Sequence, residues 1–150
     1  MGHQVCLGLG SNLGDRALLL EQAIQLIDHR VGQVICRSSF METEPWGFDS
    51  PNRFLNGAVL CKTLLTPHEV LEATQQIERE LGKQPEHATQ RSQETVYRDR
   101  PVDIDILIYD DLTVDEPDLK IPHPLMHERD FVMKPLQEIE IKLNKNKLKR

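Results

Sequence analysis

The sequence lacks several patterns that would place it in common functional classes. It has no long hydrophobic run, no Cys-x-x-Cys spacing and no Gly-x-x-x-x-Gly-Lys-[Ser/Thr] loop for holding ATP phosphates. It has no Ser-His-Asp or Cys-His signature of a nucleophilic hydrolase, and aromatic residues make up only 5% of the chain. These absences argue against a membrane-spanning protein, a paired-cysteine metal domain and a Walker-type nucleotide-binding domain.

The composition predicts one ordinary globular domain. With 150 residues, 39% of them hydrophobic and 28% charged, the chain 1–150 is long enough for a single core. Residues 142–150 carry five basic and no acidic residues, and we expect this C-terminal tail to be solvated. The net charge of −6 therefore understates how acidic the remainder is, and no nucleic-acid or membrane partner is expected.

The cysteines and the N-terminal residues predict the compartment. Cys6, Cys36 and Cys61 are scattered through apolar stretches, so free buried thiols are expected. No charged leader followed by an apolar segment and a cleavage site begins the sequence, so we expect a cytoplasmic protein.

The order of predicted elements indicates a fold class. The pattern predicts strands at Val5–Gly10, Val34–Met41, Phe54–Lys62 and 102–109, and helices at about 15–31, 67–81 and from after Pro124 to about Glu138. Thr66 and Glu69 form a capping box that begins the second helix. Residues 83–100 are polar and predict a long catalytic loop that acts as a lid. The strand-helix-strand-strand-helix-strand order is typical of an α+β, ferredoxin-like fold with helices packed on a mainly antiparallel sheet.

Two carboxylates on one strand are the first candidate metal ligands. Asp103 and Asp105 alternate with apolar residues, so both point to the same strand face. The face is expected to continue with Leu107 and Tyr109, which would put the acids at a rim. Mg²⁺ takes one or two protein carboxylates and completes its shell with water and phosphates. The alternative is an edge strand with a solvated acidic face.

A glycine-rich segment and a small aromatic set are weaker signals. Gly8 to Gly14 superficially resembles a dinucleotide-binding turn, but it lacks Gly-x-Gly-x-x-Gly spacing and the further strand-helix units of such a domain. It predicts a close backbone approach instead. Phe54, Asn56 and Phe131 could bind a flat heterocycle by stacking and hydrogen bonding, although two Phe and an Asn are more often core and turn residues. His123 could be only a surface histidine.

Five segments, taken in order, resemble a known family. They are G-S-N-L-G-D-R, T-E-P-W-G-F, F-L-N-G-A-V, R-P-V-D-I-D-I-L and I-P-H-P-L-M-H-E-R-D-F-V-M-K-P-L-Q-E-I, and they are spread in order along nearly the whole chain. Together they look like 6-hydroxymethyl-7,8-dihydropterin pyrophosphokinase. The resemblance implies transfer of pyrophosphate from MgATP to the pterin hydroxymethyl oxygen, with release of AMP, in folate biosynthesis. It also implies a monomer with two Mg²⁺ ions on Asp103 and Asp105.

The resemblance assigns further roles by matching positions. Pterin-binding residues would be Thr43, Pro45 and Asn56 by hydrogen bonding and Phe54 and Phe131 by stacking. Residues at ATP-contacting or supporting positions would be Gln75, Glu78, His123 and Arg129, with Lys120 taking the place of a basic residue that Asp118 replaces. Arg100 would assist catalysis, and Lys83, Arg91 and Arg98 remain alternatives for a second loop cation.

Two other functions fit parts of the sequence. A ferredoxin-like fold could belong to a non-catalytic nucleotide- or metal-binding regulatory module. Gly8 to Gly14 could belong to a dinucleotide-dependent oxidoreductase. Formation of AMP from ATP and the pterin would discriminate against both, and binding of NAD(P)H would reveal the second.

Overall fold

The computed structural model describes residues 2–44, 52–82 and 101–148. Its strands are β1 (His3–Ser11), β2 (Gly32–Arg37), β3 (Met41–Thr43), β4 (Phe54–Thr63), β5 (Asp103–Tyr109), β6 (Val114–Glu116) and β7 (Leu119–Ile121). Its helices are α1 (Arg16–Arg30), α2 (Pro67–Glu80) and α3 (Asp130–Leu148), with a short 3₁₀ helix, Met126–Glu128, before α3.

The sheet has the order β2-β4-β1-β5, and every pair in it is antiparallel. β3 pairs with the start of β4, and β6 and β7 form a separate hairpin. The two middle strands of the sheet are β4 and β1, with β2 beside β4 and β5 beside β1. Together with the chain order β1, α1, β2, β4, α2, β5, this is the arrangement of a split βαβ unit. The predicted α+β, ferredoxin-like architecture is confirmed.

Local sequence signals explain where the first two helices begin. Asp15 is the N-cap of α1, and its side chain accepts a hydrogen bond from Leu18 N at 3.3 Å. Thr66 and Glu69 form the predicted capping box of α2, with Pro67 as the first helical residue. The spacing of Leu18, Leu19, Ala23, Leu26 and Ile27 predicts an apolar stripe on α1. Ala23 and Ile27 are buried as expected, but the prediction is wrong for Leu18, which is exposed.

Alternate residues of the central strands divide between two hydrophobic cores. Val5, Leu7 and Leu9 of β1 pack with the buried residues of α1 and α2, on what we call the core face of the sheet. On the opposite face, Cys6, Ala58, Leu60 and Leu107 pack with Met126 and with Val132 and Ile139 of α3. We call this the cleft face, since the polar candidates lie beside it.

A β-bulge in β5 changes which side chains share a face. Leu7 pairs with Ile106 and Cys6 pairs with Ile108, so Leu107 is an extra residue opposite β1. Asp103, Asp105 and Leu107 lie on the cleft face, but Tyr109 belongs to the core face, where its hydroxyl donates to Leu65 O at 2.7 Å. The expectation that Tyr109 continues the acidic face is wrong because the extra residue shifts the alternation.

Three element predictions need correction. The predicted strand Val34–Met41 is two strands, β2 and β3. The turn-rich stretch after β5 contains the β6–β7 hairpin. The last helix does not end near Glu138 but continues to Leu148, so the basic tail begins inside α3. Lys142 Nζ donates to Arg37 O at 2.8 Å and pairs with Glu138 at 3.1 Å, which fixes this turn of the helix against β2.

The cysteines are free, and two of them are buried. Burial raises the pKa of the Cys6 and Cys61 thiols to about 12. Cys36 is half-buried, so the prediction of a buried thiol is wrong for it. Among the helices in the described ranges, none has the length and apolar content needed to cross a bilayer.

Candidate active site

The two strand carboxylates lie opposite two glycines. In the β1–β5 ladder Asp103 faces Gly10 and Asp105 faces Gly8, and all four residues line one cleft. Because glycine has no side chain, the space beside each carboxylate is left open. A Cβ at Gly10 would lie 3.0 Å from Asn56 Oδ1, and one at Gly8 would lie 3.3 Å from Leu107 Cδ1. The glycine-rich segment thus creates room for the cleft, in agreement with the predicted close approach.

The cleft encloses about 400 Å³, a volume typical of a site for a small ligand. Its walls come from the cleft faces of β1, β3, β4 and β5 and from the segment 123–132. The apolar part of the lining includes Leu107, which the sequence predicts on the same strand face as the acids, and Leu125 and Val132, which it does not single out. Their only sequence signal is membership of apolar strand or helix stripes.

A hydroxyl and an amide meet at one end of the cleft. Asn56 Nδ2 donates to Thr43 Oγ1 at 2.5 Å, and Asn56 is buried. Both come from the β3–β4 pair, in which Thr43 faces Phe54. Phe54 is buried and Phe131 is half-buried, and both rings line the cleft. The structure therefore brings together four of the predicted pterin-binding residues.

His123 is held beside β5 through its backbone. Its N–H donates to Leu107 O at 3.0 Å, and its Nδ1 accepts a hydrogen bond from Leu125 N at 3.3 Å. Burial lowers the pKa of His123, the nearby Arg129 lowers it further, and Asp103 opposes the shift. The imidazole is therefore neutral at pH 7 with its proton on Nε2, and it can donate that N–H to an anion.

Arg129 brings a buried positive charge to the same cleft. It is only 6% exposed, and its guanidinium carbon lies 5.6 Å from the centre of the Phe131 ring. Its backbone carbonyl accepts from Val132 N and Met133 N, both at 3.0 Å, so it is fixed at the beginning of α3. A buried guanidinium beside two carboxylates suits a ligand that is itself strongly anionic and metal-bound.

Glu78 lies behind the metal-candidate strand. It is buried on α2, and its Oε2 accepts a hydrogen bond from Ile104 N at 2.7 Å. Ile104 lies between Asp103 and Asp105, so this bond fixes the strand segment that carries both acids. Glu78 does not line the cleft.

Other predicted residues lie elsewhere. Gln75 is exposed on α2, and Lys120 is exposed on the β6–β7 hairpin, where its Nζ pairs with Asp115 Oδ1 at 2.5 Å. Neither lines the cleft. Five predicted residues lie outside the described residues: Pro45, Lys83, Arg91, Arg98 and Arg100.

The donor set at Asp103 and Asp105 fits a hard divalent cation. In the described part of the chain, the one group of three candidate ligands is His68, Glu116 and Asp118, which is exposed and lies outside the cleft. Within the cleft, Asp103 and Asp105 supply two protein carboxylates. Mg²⁺ commonly binds through one or two carboxylates and leaves its other positions to water and phosphate oxygens.

Comparison with known proteins gives one consistent family. The sequence model of 7,8-dihydro-6-hydroxymethylpterin-pyrophosphokinase (HPPK) matches residues 6–141. The chain is 50% identical over 136 residues to the 2-amino-4-hydroxy-6-hydroxymethyldihydropteridine pyrophosphokinase of Porphyromonas gingivalis, covering 90% of this chain and 89% of that protein. The Bacillus subtilis enzyme of the same name is 41% identical over 140 residues, covering 93% and 79%.

A solved structure shows the same fold. The crystal structure of wild-type Plasmodium falciparum HPPK-DHPS superimposes with a TM-score of 0.71 at 17% sequence identity. The match covers 93% of this chain but only 41% of the Plasmodium chain. At that identity the likeness supports the fold alone.

Proposed function

The chain belongs to the 7,8-dihydro-6-hydroxymethylpterin-pyrophosphokinase family, and we propose that the cleft between β5 and α3 is where its reaction takes place. The protein transfers pyrophosphate to 6-hydroxymethyl-7,8-dihydropterin in folate synthesis, with ATP as its co-substrate. The observation that carries the assignment to this cleft is the meeting of the Asp103–Asp105 pair, His123 and Arg129 with Thr43, Asn56 and two phenylalanines.

The end of the cleft formed by β3 and β4 binds the pterin. Phe54 and Phe131 offer ring faces for stacking on a flat bicycle, and Asn56 and Thr43 offer a hydrogen-bonding edge. The Thr43–Asn56 hydrogen bond orients the amide before the ligand arrives, which reduces the entropy lost on binding. Pro45 remains a predicted neighbour of this subsite.

The Asp103–Asp105 end binds the metal and the triphosphate. Asp103 and Asp105 would hold the two Mg²⁺ ions, which would supply neutralisation of the phosphate charge. Arg129 adds a fixed positive charge, and His123 donates its Nε2–H to a phosphate oxygen without adding a charge. Since this transfer depends on in-line placement more than on a protein nucleophile, these groups suffice without a covalent intermediate.

Supporting roles are assigned to residues outside the cleft wall. Glu78 positions the acidic strand through Ile104 N. We propose nucleotide contacts for Gln75 and Lys120, although neither lines the cleft, and a role for Arg100 in stabilising the developing charge. We expect product release, or motion of the segment 83–100 that the sequence predicts as a loop, to limit turnover.

The whole chain acts as one domain and as a monomer in the cytoplasm. The three free thiols fit a reducing compartment.

A product assay tests the proposal. With ATP, Mg²⁺ and 6-hydroxymethyl-7,8-dihydropterin, we expect AMP and the pterin diphosphate in equal amounts, and chelation of the metal should abolish both. A 6-methyl pterin, which lacks the accepting hydroxyl, is the matched control and should give no AMP. Release of ADP, or AMP formation that survives chelation, would contradict the mechanism.

A further inference from the structure

The guanidinium of Arg16 connects α1 to strand β3 and to the residue that precedes strand β4. Arg16 Nη1 donates to the backbone oxygen of Arg53 at 2.8 Å, and Arg16 Nη2 donates to Glu42 Oε2 at 2.6 Å. Arg16 is the first residue of α1, directly after the N-cap Asp15. Its backbone position is therefore set by a helix that packs on the core face.

Both of its contacts adjoin residues of the proposed pterin subsite. Glu42 precedes Thr43 in β3, and Arg53 precedes Phe54, the first residue of β4. Thr43 and Phe54 are register partners at the end of the β3–β4 ladder. Because side chains alternate along a strand, Glu42 points away from the face on which Thr43 lines the cleft.

The β3 strand has little else to hold it in place. It is three residues long, and within the described residues its strand pairing is with β4 alone. A strand this short contributes few ladder hydrogen bonds. A shift of β3 would move Thr43 Oγ1, which accepts the hydrogen bond that orients Asn56.

The charges around Arg16 favour a fixed geometry. The hydrogen bond from Arg16 holds the pKa of the Glu42 carboxyl below its ordinary value, so Glu42 is ionised at neutral pH. Arg53 lies farther from Glu42, at 3.8 Å, and pairs more closely with Glu44, at 2.9 Å. Of the two arginines, Arg16 thus makes the shorter contact with Glu42, and its guanidinium also donates to a main-chain oxygen.

We infer that Arg16 is a positioning residue for the pterin subsite, holding the Thr43 end of β3 against the Phe54 end of β4. The inference rests on the proposed function of the cleft. It gives a role to the arginine that ends the G-S-N-L-G-D-R segment, which the metal and nucleotide groups leave unexplained.

The alternative is that Arg16 makes only a surface ion pair. The chain offers a matched case on the same helix, since Arg30 donates through both Nη1 and Nη2 to the Glu80 carboxylate. The arginine side chains are similarly exposed, 30% for Arg16 and 35% for Arg30. Neither Arg30 nor Glu80 lines the cleft.

Arg16→Ala and Arg30→Ala should therefore separate the two explanations. We expect Arg16→Ala to raise the pterin KM about tenfold and leave the ATP KM within about twofold, while Arg30→Ala changes neither. The pterin Kd, measured by calorimetry with Mg²⁺ and a saturating non-hydrolysable ATP analogue, should rise by the same factor. Both variants should lose similar amounts of thermal stability.

A second pair of variants guards against loss of folding. Arg16→Lys keeps the positive charge but offers one donor nitrogen in place of the two that Arg16 uses, and Glu42→Gln keeps an acceptor oxygen. Each should therefore raise the pterin KM by a smaller factor than Arg16→Ala does. A pterin KM for Arg16→Ala within twofold of that for Arg30→Ala would overturn the inference, and so would an equal rise in the KM of both substrates. Wild-type protein that binds no pterin would instead refute the proposed function of the cleft.

Discussion

The two faces of the central sheet use the same strands for opposite purposes. On the core face, β1 and β5 present Leu7, Leu9, Ile104 and Ile106 to two helices, and all four are buried. One residue along each strand, the cleft face presents glycine and aspartate instead. The alternation of a strand thus lets one segment stabilise the fold and present the candidate ligand-binding groups at once. Substitutions one residue apart should therefore have effects of different kinds.

The largest difference is expected at the carboxylates. Asp103→Asn and Asp105→Asn should each lower kcat by at least about a hundredfold, because an amide keeps the shape but loses the anionic oxygen that binds the metal. The melting temperature should change little. Steady-state AMP formation and thermal melts measure both quantities. Asp111→Asn, in the exposed turn after β5, is the control and should keep near-normal kcat. Near-normal turnover in either cleft variant would refute the metal assignment.

A smaller effect is expected from filling the space opposite Asp103. Gly10→Ala places a methyl group 3.0 Å from Asn56 Oδ1, so the amide must move. We expect the pterin KM to rise about tenfold because the Thr43–Asn56 hydrogen bond is strained. Gly8→Ala meets the flexible Leu107 side chain and should raise the pterin KM less. Equal effects of the two substitutions on the pterin KM would mean that the open space, and not Asn56, is what matters.

The core face should respond in stability alone. Ile106→Val removes one buried methylene group and should lower the free energy of unfolding by about 1 kcal/mol. Because Ile106 points away from the cleft, kcat and both KM values should stay within about twofold. Urea unfolding gives the free energy, and the product assay gives the kinetics. A large change in kcat here would show that the two faces are not separable.

The smallest effect concerns pH. Burial and Arg129 lower the pKa of His123, so the folded protein binds its proton less readily than the unfolded chain, whose histidine titrates near the ordinary value of 6.5. His123 therefore contributes stability above pH 6.5 that is lost as pH falls through its folded pKa. The melting temperature of the metal-free protein should fall between pH 7 and pH 5, and less in His123→Gln. Replacement of the exposed His127 by Gln is the control and should leave this fall in melting temperature unchanged. A fall in His123→Gln as large as in the wild type would contradict the role given to His123.

The sequence predicts the elements that have strong local signals. The T-x-x-E capping box locates α2, the alternation around Asp103 and Asp105 locates β5, and the element order predicts the fold. The end of α3 was misjudged because its basic residues obscure an apolar stripe that continues through Ile139 to Leu143. β3, β6 and β7 are three residues each, too short for a periodic pattern.

The parts of the site that the sequence did not predict depend on contacts between distant segments. The bulge that turns Tyr109 to the core face arises from the pairing of two strands about 100 residues apart, and no local signal marks it. The resemblance places Glu78 at a position that contacts the nucleotide or supports the site, and only the folded chain reveals the hydrogen bond that it accepts from the backbone of β5. Arg16 has the sequence environment of a helix beginning, and only the folded chain reveals its contacts.

β5 is the last strand of the sheet as described, and such a strand exposes peptide groups that can recruit another polypeptide. Here the Glu78 carboxylate occupies Ile104 N–H, and the His123 N–H occupies Leu107 O, on the segment that carries the acids. The groups proposed to support catalysis therefore also occupy peptide groups that could otherwise pair with another chain, so we expect a variant that loosens them to lose solubility as well as activity.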